Sequence, residues 1–175
     1  MSEKAELQRQ IAELTRELET VREELKRLAA VDALTGVASR RVMDERLAAE
    51  AARVHRYGGV VSLVFADIDG ESPGEEVMRS MGRLLRGSVR ETDLVARYNA
   101  ELFAIMLPHT AAKDARLFVE RLRRVLASQP ELPAGGRVTM SFGIAEHSVG
   151  KEPSKLVAAA AAALDQAKAG VNKDL

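Results

Sequence analysis

Cysteine is absent from the chain, which excludes disulfides, thiolate metal sites and a cysteine nucleophile and matches the usage of a reducing cytosol. Neither sign of charge is in excess. The 26 Lys and Arg residues balance 26 Asp and Glu, so no global field draws the chain to nucleic acid or to an anionic membrane, and neither is expected as a partner. Long apolar runs are missing too: the longest, Val157 to Leu164, is mostly alanine and far short of the ~20 residues that span a bilayer. With no secretion signal in the opening Met1-Ser-Glu-Lys, a cytoplasmic location is expected. His55, His109 and His147 lack metal-ligand spacing and are expected on the surface or in loops. What remains, in 175 residues, is room for one globular core plus an appendage, at roughly 100–200 residues per domain.

The appendage is legible first. Leu7, Ile11, Leu14, Leu18, Val21, Leu25 and Leu28 recur at spacings of four and three, and the residues between them are almost all charged or polar. That is the heptad pattern of a coiled coil, with Ile11, Leu18 and Leu25 at one seam position and Leu14, Val21 and Leu28 at the other. In this register Glu17 faces Arg22 of a parallel partner, so a homodimer through this seam is expected. Leucine at both seam positions leaves two strands and three open. An amphipathic helix folded back on its own domain is the alternative.

Beyond Val31 helices and strands alternate. A helix is predicted over 40–57, stopped by Gly58-Gly59, which no Gly-x-Gly-x-x-Gly or Lys-Ser/Thr pattern follows. A buried strand is predicted over 60–66, a loop over 67–74, a helix over 75–89, and paired strands over 94–98 and 102–107 joined by Asn99-Ala100-Glu101. A helix over 111–127, a loop over 130–136, a strand over 137–145 and a helix over 154–169, with Ser154 as its cap, complete the order. The class this implies is α+β: one antiparallel sheet covered by helices and preceded by the coiled-coil helix.

Five blocks, in order, resemble the GGDEF family of diguanylate cyclases across about residues 31–172. Asp32-Ala-Leu-Thr-Gly36 with Ser39-Arg-Arg41 resembles the family's opening block, and Asp67-Ile-Asp69 its metal-site strand end. Arg97-Tyr-Asn-Ala-Glu-Leu-Phe103 is similar to the signature Arg-Tyr-Gly-Gly-Asp-Glu-Phe, Ser141-Phe-Gly-Ile-Ala145 to a late strand, and Ala163-Leu-Asp-Gln-Ala-Lys168 to the last helix. The resemblance implies a nucleotide-cyclase-like sheet and divides the chain into a dimerisation helix over 1–30 and a GGDEF domain over 31–175.

The departures from the family concentrate at the site, and the signature Asn99, Ala100, Glu101, Leu102, Phe103 is degenerate. Asn99 and Ala100 replace two glycines that let a nucleotide approach the backbone. Glu101 keeps the acid that holds Mg2+ in the family, but Leu102 replaces the acid at the reacting ribose. Asp67 and Glu101 are thus vestigial metal carboxylates, and no functional metal or other cofactor is expected. The guanine-reading stretch between Asp69 and Gly74 is shortened, with Glu75 in place of an aspartate, and Val171 replaces a phosphate-gripping arginine beyond Lys168. Lys168 itself is expected as a solvated helix-end charge.

These losses predict a protein with no catalytic residues and no enzymatic activity: a bacterial, dimeric scaffold or regulator working through protein–protein contacts with a partner not identifiable from sequence. One alternative is a cyclic di-GMP receptor. Arg90-Glu-Thr-Asp93 stands five residues before the signature, where the family carries an inhibitory Arg-x-x-Asp site, and Arg121 on the following helix supplies a further guanidinium. The bland reading of Arg90 and Asp93 is a surface salt bridge. A weak diguanylate cyclase is the remaining alternative.

Overall fold

The computed structural model describes residues 3–70, 73–128, 138–152 and 154–171, with side chains except at 3, 26–28 and 171. The loop expected over 130–136, Arg137, the side chain of Leu28 and the last residues from Asn172 lie outside these. The chain divides into two units, residues 1–30 and 31–175. The first is one helix, α1 (Glu3–Leu28). Its seam residues Leu7, Ile11, Leu14, Leu18, Val21 and Leu25 are all exposed, from 49 % to 64 %. They form one apolar stripe on an otherwise charged helix.

The second unit is built on a five-stranded sheet in the order β1-β3-β4-β2-β5. Its elements are β1 (Ala38–Ser39), α2 (Arg40–Tyr57), β2 (Val60–Ile68), α3 (Glu75–Ser88), β3 (Leu94–Arg97), β4 (Leu102–Pro108), α4 (Ala112–Ser128), β5 (Met140–Ser148) and α5 (Lys155–Val171). The sheet is mixed rather than purely antiparallel, because the unforeseen two-residue β1 lies parallel to β3. β2 is central, antiparallel to both β4 and β5.

Side-chain alternation along β2 explains why helices cover both faces. Val64, Ala66 and Ile68 pack with Phe103, Ile105 and Phe142 under α3 and α4, where Met78, Met81, Leu85 and Leu122 are buried. Val61, Leu63 and Phe65 face the other way, into a second core formed with Met43, Leu47 and Val54 of α2 and Leu156, Ala160 and Leu164 of α5. A period of two in a strand splits its residues between two faces, so a strand apolar at nearly every position is buried on both sides. Helix α2 ends where expected: Gly58 and Gly59 have φ of 80° and 95°, a conformation that costs glycine little.

Strand β5 starts and ends three residues later than predicted, because its polar end Glu146-His147-Ser148 pairs with Ser62-Val61-Val60 of β2. His147 is thereby buried, 2 % exposed, rather than on the surface or in a loop. Neither of its ring nitrogens has a hydrogen-bond partner among the described residues. Beside it, Glu146 accepts a hydrogen bond from the backbone N–H of Ala112 (2.8 Å) at the start of α4. That bond, with help from Lys151 and against partial burial, holds its carboxyl below the ordinary glutamate value of 4.5.

A depressed folded-state pKa means that Glu146 adds stability above the unfolded-state value, and that this contribution disappears as pH falls through the folded-state value. Glu146→Gln is therefore expected to melt below wild type at pH 7, with the gap closing below pH 4.5. Thermal melts of both proteins across that range check it. A gap that persists unchanged into acid would contradict the assignment.

Candidate functional site

One end of the sheet gathers the residues singled out by sequence. Asp67, near the end of β2, pairs with Leu102 on β4 and Ser141 on β5, so the turn carrying Glu101 stands beside it. The Nζ of Lys168 on α5 donates to Asp67 Oδ2. The expectation that Lys168 is merely solvated is corrected: the parity of β2 turns Asp67 toward α5, and the two charges meet across 101 residues of sequence. Asp67 is 13 % exposed and Lys168 41 %. The other carboxylate oxygen, Asp67 Oδ1, is buried and has no hydrogen-bond partner among the described residues. Asp69 is differently occupied, accepting from the hydroxyl of Ser141 at 2.6 Å.

Leu102 does not line this edge with its side chain. It is buried in the second core with Phe65 and Leu164, so the position where the family has an acid is built into the hydrophobic layer. The turn before it is held by Arg97, whose guanidinium donates to the carbonyl of Ala100 (2.7 Å) and pairs with Asp32 at 3.4 Å. Burial alone would raise the pKa of Asp32. Hydrogen bonds from the hydroxyl and backbone N–H of Thr35, with the charge of Arg97, outweigh it and hold the carboxyl below its usual range. The opening block and the signature, distant in sequence, are thus one connected structure.

Arg90, Asp93 and Arg121 come together elsewhere. With His109, Asp114 and Phe118 they line a cavity of about 460 Å³ between the β3 approach and α4, within the range of small-ligand sites. Asp93 Oδ2 accepts from the backbone N–H of Arg90 at 2.9 Å, and no ion pair joins their side chains among the described residues. The salt-bridge reading is therefore replaced by a turn that holds the carboxylate in place and leaves the Arg90 guanidinium exposed. Arg121 donates to the carbonyl of Ser88 (3.1 Å) and lies over the ring of Phe118. Asp114 and Phe118 were not singled out by sequence, although with Arg121 they fall at spacings of four and three on one face of α4. His109 is exposed, in a left-handed conformation with φ of 53°.

The donor set suits a hard cation in part. A buried carboxylate oxygen on Asp67 with no partner among the described residues, and the carboxylate of Glu101 on the adjoining turn, are oxygen chemistry that Mg2+ accepts. No group of three or more metal-ligating side chains occurs among the described residues, so two carboxylates would have to be supplemented by carbonyl, water or phosphate oxygens. Among the same residues no helix is long and apolar enough to cross a membrane.

Comparison with known proteins agrees with this geometry. Residues 29–173 match the family model described as diguanylate cyclase, GGDEF domain. Diguanylate cyclase DgcP of Pseudomonas aeruginosa is 36% identical over 117 residues, covering 62% of this chain and 17% of the relative. The response regulator PleD of Caulobacter vibrioides is 36% identical over 156 residues, covering 81% and 34%. The chain therefore spans about a third or less of the length of these two relatives. Among solved structures, the coiled coil and GGDEF domain of DgcB from Caulobacter crescentus, in complex with c-di-GMP, superposes with a TM-score of 0.73 at 28% identity, covering 94% of this chain and 95% of that one.

These relatives overturn the expectation of a catalytically inactive, non-enzymatic scaffold. DgcP and further relatives are named diguanylate cyclases, and they point to an enzyme. With the family match running from residue 29 to 173 and the fold shared with a solved member, the chain belongs to the GGDEF family of diguanylate cyclase domains.

Proposed function

We propose that the chain is a slow diguanylate cyclase, working as a homodimer in the cytosol and holding cyclic di-GMP in the Arg90 cavity. The observation that carries this reading is Asp67, one oxygen buried without a partner among the described residues and the other paired to Lys168. A carboxylate with spare acceptor capacity beside a lysine suits the junction of a cation and a triphosphate. Making the cyclic dinucleotide from two GTP forms two bonds from 3′-hydroxyl oxygen to α-phosphorus and breaks two bonds to pyrophosphate. Bound Mg2+ would neutralise charge on the phosphates. Asp67 and Glu101 would hold it, and Lys168 adds a cation on the same side.

Slowness follows from the same residues. Leu102 offers no group to accept the hydroxyl proton, and a positioned base contributes roughly 10²–10⁴-fold. The shortened stretch after Asp69 removes partners for guanine, which weakens nucleotide selection. The exposed stripe on α1 supports pairing of two chains, as a product built from two nucleotides requires. Incubation with GTP and Mg2+, with the product identified by mass, tests the reading: slow accumulation of cyclic di-GMP supports it, and complete absence sinks it.

The cavity supports the binding part separately. Arg90→Ala should weaken cyclic di-GMP binding by about 10–100-fold, the range for hydrogen bonds to a charged group. Calorimetric titration of both proteins reads this. Equal heats and affinities would remove Arg90 from the site.

A further inference from the structure

The signature turn is closed by a side chain. Asn99 Oδ1 accepts hydrogen bonds from the backbone N–H groups of both Glu101 (3.0 Å) and Leu102 (2.9 Å). The carbonyl of Leu102 accepts in turn from the N–H groups of Tyr98 (2.7 Å) and Asn99 (3.3 Å). With Arg97 on the carbonyl of Ala100 (2.7 Å), most polar backbone groups of the turn are satisfied within it.

Nothing about this turn needs the conformational freedom of glycine. Among the described residues His109 is the only one other than glycine with positive φ, so Asn99 and Ala100 adopt ordinary conformations. What the asparagine changes is the state of two donors. Successive backbone N–H groups in a turn form a concavity that binds anions, and a glycine at this position has no side chain to fill it. The donors sit at the head of β4, whose Leu102 pairs with Asp67, at the same sheet end as the ammonium of Lys168.

We propose that Asn99 sets nucleotide affinity, its carboxamide occupying the two N–H donors that a nucleotide phosphate oxygen would otherwise take. This rests on the nucleotide-binding half of the cyclase reading, since it is the triphosphate at Asp67 and Lys168 that would present that oxygen. The turn is capped from within, and nucleotide affinity is lowered by the cap.

The test is titration of the full chain with the α,β-methylene analogue of GTP in Mg2+, using wild type, Asn99→Ala, Asn99→Gly and Asn99→Asp, each checked by circular dichroism. Removing the carboxamide, in the alanine and glycine variants alike, is expected to tighten binding about 10-fold. Agreement between the two separates the freed donors from glycine flexibility. Asn99→Asp keeps an acceptor for both donors and adds negative charge, so it should bind more weakly than wild type.

Folded alanine and glycine variants that bind no tighter than wild type overturn the inference, and so does tighter binding by the aspartate variant, even where the other two fail to fold. Cyclic product from wild type without a gain in the alanine variant removes the inference and leaves the cyclase. A gain without product from any variant keeps the inference and removes the cyclase.

Discussion

Gly143→Ala is expected to destabilise the globular unit by about 3 kcal/mol or more, a fall in melting temperature of roughly 10 °C for a chain of this size. Gly143 lies on β5, directly under α5. A Cβ built there would come within 2.2 Å of the carbonyl oxygen of Ala160, 2.3 Å of the amide nitrogen of Leu164 and 2.7 Å of its Cα. All three are backbone atoms, so no side chain can rotate aside. Relief requires the helix to move off the sheet, opening the second core around Leu156, Ala160 and Leu164, and overpacking that forces backbone shifts is among the costlier core changes.

Gly87→Ala is the control. Gly87 is helical, exposed and has nothing within 4 Å of its would-be Cβ, so alanine there should stabilise by about 0.5–1 kcal/mol through helix propensity. Thermal melts of the two variants should shift in opposite directions. A Gly143→Ala protein that melts within about 2 °C of wild type, or roughly 0.5–1 kcal/mol, would mean that α5 does not lie this close to the sheet.

The second large effect is on turnover. Asp67→Asn should reduce formation of cyclic di-GMP by at least about 100-fold, the scale lost when one preorganised electrostatic group is taken from a reacting centre. The substitution keeps the size and one acceptor oxygen, but removes the charge that holds both a cation and Lys168. The fold should survive it, because Lys168 is 41 % exposed and water can replace its lost partner. A loss of product far larger than the fraction of protein unfolded at the assay temperature is therefore the expected pattern. Undiminished turnover in a folded Asp67→Asn protein would show that the carboxylate plays no part in the chemistry.

Much of the fold could be read from local signals. Helix α2 was bounded by Gly58-Gly59, and β2 by a run of apolar residues between glycines, because both patterns are written in adjacent residues. The parts that were missed depend on partners distant in the chain. β1 is two residues long and exists through its pairing with Ala96 and Arg97. The polar end of β5 resembles a loop until the whole length of β2 is placed beside it. The burial of His147 follows from that extension.

At the site, Asp67, Glu101, Arg90, Asp93 and Arg121 were named by resemblance, and the last three do line one cavity. The partnership of Lys168 with Asp67 was not legible, because only the packing of α5 on β2 brings them together. The function was the least legible part: the substitutions at Asn99, Ala100 and Leu102 imply a dead site, whereas the relatives named diguanylate cyclases point to an enzyme. Loss of a proton acceptor changes a rate, and a lowered rate is not the absence of a reaction.

The most direct measurement is a pair of progress curves, wild type and Arg90→Ala, each incubated with Mg2+ and GTP in large excess over protein while cyclic di-GMP is followed by mass. The account predicts product from both, with wild type levelling off sooner as the dinucleotide fills the Arg90 cavity. No product from either folded protein, however long the incubation, would contradict it.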